Sequence, residues 1–291
     1  RKASFVWGSD VPLSDAIGFL SAYFILGVDW LPSVVVAAAF TATSVGISVA
    51  VWEESDALQS PNGELLIDVA ELDDISAVVL MAVLFAFVPL LENSGNANPT
   101  LILGKTLALF VGKFVAFGGA CFVFSRYLEK PVTTYFRRLK SDPDYILVVV
   151  AIGFMIAALA DLLNFSLAIG AFFAGLVFSR DPDTVKMEAS FLPLYELFSP
   201  FFFIGIGLNI DPSSLAGGLG MGLVLGAAAM AAKMIAVGLP VLGMKGFNSA
   251  FLIGVSMMPR AEITMVIMDR GLALGAWAVP QDVFSAMVFV T

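Results

Sequence analysis

Ile67-Asp68-Val69-Ala70-Glu71-Leu72-Asp73-Asp74-Ile75-Ser76-Ala77-Val78-Val79-Leu80 sets two adjacent aspartates inside an otherwise apolar helical stretch. The surrounding segment, 64 to 92, exceeds the run of about 20 residues that a helix needs to cross a bilayer. A carboxylate at the bilayer centre costs roughly 2.5 to 3.5 kcal/mol even by insertion measurements, so two neighbours there require a cavity filled by water or an ion. The stretch therefore predicts an all-α polytopic membrane protein built around an intramembrane cation site.

The rest of the chain agrees with that class. Hydrophobic residues make up 59% and charged residues 13% of 291, and the mean hydropathy is +0.94, values that a soluble domain of this size would not carry. Cys121 is the single cysteine and lies in an apolar run, so no disulfide framework exists. Histidine is absent, which leaves any response to pH to carboxylates or lysines. The net charge of -9 comes mostly from acidic loops and ends such as Trp52-Glu53-Glu54-Ser55-Asp56 and Asp142-Pro143-Asp144, and it argues against nucleic acid as a partner.

Hydropathy marks candidate spans near 3 to 28, 31 to 52, 64 to 92, 101 to 126, 144 to 161, 165 to 179, 191 to 210, 215 to 243 and 248 to 269, with a truncated tenth from 279. Threading them alternately with the start inside puts Arg1, Lys2, Arg126, Lys130, Arg137, Arg138, Lys140, Arg180, Lys186 and Lys245 on the cytoplasmic side and only Lys105 and Arg270 outside. That bias is the one the positive-inside rule expects. The chain lacks an initiator methionine and stops a few residues into the apolar run Val283 to Val290, so it is expected to be a fragment with helices missing at both ends.

Two spans are interrupted near their midpoints. Thr41-Ala42-Thr43-Ser44-Val45-Gly46-Ile47-Ser48 places hydroxyls and a glycine where the second span should be Leu and Val, and Ser256-Met257-Met258-Pro259-Arg260-Ala261-Glu262 places a proline beside two charges in the ninth. A proline kink or a Ser/Thr packing face explains either one alone. Together with the aspartates they point to a transporter site, where half-helix ends offer N–H and C=O dipoles to an ion.

At about 100° per residue, Glu64, Asp68 and Glu71 share a helix face, Asp74 lies one turn beyond Glu71, and Asp73 points elsewhere. The stripe reads either as a cation funnel toward Asp74 or as an interfacial, solvated edge. Lys233 stands too deep in the eighth span to snorkel and needs a carboxylate partner. Lys113, in the fourth span, faces a cavity or snorkels. The run Gly217, Gly218, Gly220, Gly222 and Gly226 lets the eighth span pack closely on a neighbour.

Thr43-Ser44-Val45-Gly46-Ile47, Leu72-Asp73-Asp74, Gly170-Ala171-Phe172-Phe173-Ala174-Gly175, Pro200-Phe201-Phe202-Phe203-Ile204-Gly205, Lys233 and Met258-Pro259-Arg260-Ala261-Glu262, in this order and spacing, resemble the monovalent cation:proton antiporter superfamily in its bacterial Na+/H+ antiporter branch. The resemblance implies inverted repeats with two broken, crossing helices. It assigns 1 to 92 and 213 to 291 to an ion-transporting core, 101 to 126 to a linking helix, and 144 to 210 to the dimerisation side. It also implies a multi-pass protein of the cell membrane, active as a homodimer, with no cofactor beyond the transported Na+ and H+.

Carried over residue by residue, the resemblance makes Asp74 the Na+ and proton ligand, with Thr43 and Ser44 at the unwound crossing beside it. Asp73 becomes the partner of Lys233, and Arg260 and Glu262 become charge compensators of the other broken helix. An adjacent Asp pair with a buried lysine resembles electrogenic exchangers, although acids at Asp68 and Glu71 depart from the family's apolar pattern and leave K+ open as the cation. A symporter of organic anions has little need of the Asp pair. An intramembrane aspartyl protease needs two acids facing each other from different helices, whereas neighbours in one turn diverge by about 100°. The expectation is a carrier and not an enzyme.

Overall fold

Proline decides where four of the helices begin. Pro61, Pro99, Pro143 and Pro212 each occupy the first helical position, where the missing N–H costs nothing and the fixed φ suits the first turn. Glycine ends others: Gly246 (φ 84°) and Gly275 (φ 119°) adopt backbone conformations that a side chain resists.

The computed structural model describes residues 2–92, 99–139, 143–163, 165, 167–178, 188–208, 210, 212–260 and 262–291. Among them every regular element is a helix: α1 (Lys2–Leu20), α2 (Trp30–Thr41), α3 (Val45–Glu54), α4 (Pro61–Glu92), α5 (Pro99–Val123), α6 (Glu129–Leu139), α7 (Pro143–Leu162), α8 (Leu167–Phe178), α9 (Glu188–Leu208), α10 (Pro212–Ala236), α11 (Gly238–Lys245), α12 (Phe247–Ser256), α13 (Glu262–Leu274) and α14 (Gln281–Val288). Single π turns extend α1 over Ser21–Ile25 and α5 over Phe124–Leu128. Trp30–Glu54, Val111–Tyr135 and Leu215–Lys245 are long and apolar enough to cross a membrane. Arg1, Lys105, Arg137, Arg138, Lys140, Arg180 and Lys186, which entered the charge-bias argument, have no described side chains or lie outside the described residues.

The chain divides into two units, residues 1–81 with 205–291 and residues 82–204. In the first, α1 packs on α2 and α10, α10 on α14, α11 on α12, and α13 on α2. The contact of α10 with α14 uses Gly218 and Gly222, where a Cβ would come within 3.0 Å of Ala286 N and 2.8 Å of Ala286 O respectively. A buried cluster including Val6, Leu66, Val69, Val241 and Ile253 ties α1, α4, α11 and α12 together.

The eighth predicted span is two helices. Pro240 has no N–H to give the carbonyl of Ala236, so the ladder fails there. Ser9 Oγ donates to that carbonyl at 3.1 Å instead, and the chain restarts as α11 at Gly238.

In the second unit α8 packs on α7 and α5, with Phe173 set edge-on against Phe114 and Phe117. Ser125, in the π turn, donates to Val177 O at 2.7 Å. Residues 129–139, between the fourth and fifth predicted spans, form the helix α6. Lys113 is exposed and donates to Leu163 O at 3.4 Å.

Candidate functional site

The two interruptions lie side by side in the first unit. α2 ends at Thr41, Ala42 and Ser44 are extended, and α3 starts at Val45. α12 ends at Ser256 and α13 begins at Glu262; Ala261 lies outside the described residues. Pro259 withholds an N–H and disfavours helix at the residue before it, which accounts for the second break. The breaks are stitched to each other: Ser44 N–H donates to Pro259 O at 2.8 Å, Ser48 Oγ donates to Ser256 O, and Trp52 Nε1 donates to Ser256 Oγ at 2.8 Å.

Breaking α2 frees the carbonyls of its last turn, which carry the negative end of the helix dipole. Two buried cations take them up. Arg260 Nη1 donates to Phe40 O, to Ala42 O at 3.0 Å and to Ala39 O at 3.3 Å, with its guanidinium 5.1 Å from the Phe40 ring centre. Lys233 Nζ donates to Thr41 O at 2.9 Å.

The same ammonium bridges two aspartates, Asp73 Oδ2 at 2.7 Å and Asp10 Oδ2 at 2.8 Å, and all three side chains are fully buried. Thr43 Oγ1 also donates to Asp73 Oδ2, at 3.3 Å. Asp73 Oδ1 is buried without a hydrogen-bond partner.

Asp74, the next residue on α4, points to the opposite polarity. It lines a cavity of about 20 Å³ with Ala42, Thr43, Ser44, Glu262 and Ile263, room for about one water-sized occupant. Here the N-terminal ends of α3 and α13 supply positive dipole ends, and Asp74 Oδ1 is buried with no partner. Two carboxylates, hydroxyl-bearing residues and backbone freed by the break therefore surround one small space. Such oxygens suit a hard monovalent cation better than a soft metal. Among the described residues no three His, Cys, Asp or Glu side chains converge as a metal cage would require.

Residues 6–291 match the transmembrane sodium/hydrogen exchanger family. The chain belongs to that family. It is similar to the high-affinity Na+/H+ antiporter NhaS3 of Synechocystis sp., 30% identical over 284 residues that cover 95% of this chain and 59% of that one. It is also similar to the Na+/H+-K+ antiporter GerN of Bacillus cereus, at 27% over 276 residues covering 94% and 67%. A third relative is the K+/H+ antiporter subunit KhtU of Bacillus subtilis, at 27% over 258 residues covering 87% and 60%. The chain thus spans roughly 60% of the length of the first of these relatives. As a sodium/hydrogen exchanger family member with long apolar helices, it is an integral membrane protein, and its relatives are transporters rather than enzymes.

Within this exchanger fold Thr43, Ser44, Asp73, Asp74, Lys233, Arg260 and Glu262 come together, while Glu64, Asp68 and Glu71 sit on an exposed face of α4. Two contacts go beyond the sequence reading. Lys233 has two acid partners, because Asp10 reaches it from α1. Arg260 serves the break in α2 rather than its own helix, because the carbonyls left open by Thr41's helix end lie within its reach; Glu262 alone sits in the first turn of α13.

Asp10 and Asp15 went unnoticed in a span read as apolar. Asp10 accepts from Ser14 Oγ at 2.7 Å, and Asp15 accepts from Thr41 Oγ1. A signal was present: the buried positions of α1 are Ala3, Val6, Asp10, Ser14 and Gly18, a small and polar stripe at helical spacing that marks a packing face in a membrane helix.

Proposed function

We propose that this chain is the ion-translocating part of an electrogenic secondary transporter that exchanges Na+, with Li+ next in preference, for protons by alternating access. The observation that carries the reading is the cavity at the double helix break, where an unpartnered Asp74 oxygen meets Glu262 and the unwound backbone. A cation entering it meets oxygen ligands only; a proton on Asp74 removes the charge that holds the cation. Competition for one carboxylate therefore couples the two fluxes, and a site near the midplane needs only a rocking motion of its surroundings to face either side. In this reading the interruptions are the two crossing helices of an inverted repeat with nine spans and part of a tenth. Residues 1–92 and 213–291 form the moving core, 101–126 is the linking helix, and 144–210 lies on the dimerisation side of a homodimer in the cell membrane.

A K+/H+ exchanger is the second reading, and the names of the GerN and KhtU relatives favour keeping it. Proteoliposomes under an imposed proton gradient separate the two. Na+ and Li+ are expected to collapse the gradient at lower concentration than K+; preference for K+ adopts the second reading, and no flux with any of the three ions rejects both.

The exposed Glu64, Asp68 and Glu71 stripe is proposed as a cation funnel. Asp68→Asn with Glu71→Gln is expected to raise the apparent KM for Na+ several-fold in low salt. The difference should vanish near physiological ionic strength, where the Debye length is about 8 Å. A change in turnover that persists in high salt would instead place these acids in the translocation step.

A further inference from the structure

Lys233 has three N–H donors, and the structure uses each on a different acceptor: Asp10 Oδ2, Asp73 Oδ2 and Thr41 O. Its two acids are not equivalent. Asp10 accepts on both oxygens, from Ser14 Oγ on Oδ1 at 2.7 Å and from Lys233 on Oδ2 at 2.8 Å, whereas Asp73 Oδ1 is buried without any partner. One positive charge shared between two buried carboxylates leaves a negative charge over on the cluster, and Asp73 sets that cluster directly beside Asp74 on α4.

We infer that Asp10 is a positioning residue for cation exchange: as a second carboxylate on Lys233, it shares the ammonium with Asp73 and keeps the cluster beside Asp74 negative enough to attract the transported cation. This rests on the exchange reading above. The chemistry is electrostatic and involves no group transfer. Were Asp10 absent, the ammonium would neutralise Asp73 alone, and the cation would face one carboxylate charge fewer. A buried charge pair exerts its influence in a poorly screened setting, so the effect should survive high salt, unlike that of the exposed stripe. Local architecture supports a dedicated role: Trp7 Nε1, one turn before Asp10, donates to Ser76 Oγ at 2.7 Å, one turn after Asp73, and this clamps the two acid-bearing turns of α1 and α4 together.

The test uses the full chain in proteoliposomes and in detergent. Asp10→Asn is expected to raise the apparent KM for Na+ about tenfold, at high as well as low ionic strength, with a much smaller change in turnover. Asp10→Glu, which keeps the charge, should recover most of the affinity. A KM within about twofold of wild type for Asp10→Asn, or Asp10→Glu behaving no better than Asn, overturns the inference. Thermal unfolding supplies an independent arm that needs no transport. Lys233→Gln leaves two buried acids facing each other, and adding Asp10→Asn removes one of them, so the double variant should melt higher than Lys233→Gln alone. A double variant that melts no higher shows that the acids are not coupled through Lys233 and also overturns the inference. Wild-type protein that moves no cation would sink the exchange reading while leaving the melting result to stand.

Discussion

Asp74→Asn abolishes exchange: Na+-driven proton flux in proteoliposomes is expected to fall by two to three orders of magnitude while the protein still inserts and purifies as wild type. The magnitude follows from the charge. At an effective dielectric of about 20, unit charges about 4 Å apart are worth about 4 kcal/mol, and each 1.4 kcal/mol is a factor of ten in occupancy. Asn cannot carry the proton of the return step either, so both halves of the cycle fail together. Stability should hold or improve, since Asp74 Oδ1 is buried without a partner and shares its cavity with Glu262, a like charge. A folded variant that retains near wild-type flux would move the ion site elsewhere.

Lys233→Gln is expected to have the largest effect on stability. The ammonium satisfies Asp10, Asp73 and the terminal carbonyl of Thr41 at 2.7 to 2.9 Å, fully buried. Removing one partner of a buried ion pair costs about 3 to 5 kcal/mol, and here two carboxylates lose theirs at once. For a chain of this length about 2 to 4 °C of melting temperature accompanies each kcal/mol, so a drop of about 10 °C or more in detergent is the expected reading. What exchange survives should no longer respond to an imposed membrane potential, because the positive charge paired with Asp10 and Asp73 is gone. A variant that melts like wild type contradicts the bridging geometry; one that is destabilised yet equally voltage-sensitive confines Lys233 to a structural role.

Much of the site was legible from residue types alone, for reasons of cost. Asp73, Asp74, Lys233 and Arg260 stand in segments where an ionised group is expensive, and Pro259 and the Thr43-Ser44 pair stand where a helix should be uninterrupted. Each is an anomaly against an apolar background. Asp10 is the same kind of anomaly, yet the apolar span from 3 to 28 also holds Trp7, Ser9, Pro12, Ser14 and Asp15, so one more polar residue did not stand out. The break at Val237 was missed because Pro240 follows it by three residues, and what Pro removes is a hydrogen bond to a carbonyl four residues earlier.

The sequence by itself determined the class, most of the apolar helical segments, the places where two of them break, and most of the charges that had to find partners, because hydropathy, proline geometry and the cost of burying a charge act locally along the chain. Only the tertiary structure decided the pairing. Lys233 divides itself between Asp10 and Asp73 although they lie 223 and 160 positions away, and Arg260 reaches across to carbonyls of α2 rather than those of its own helix. Which partner a buried charge finds depends on which helix faces are brought within about 3 Å of each other, and that is set by packing between elements remote in sequence.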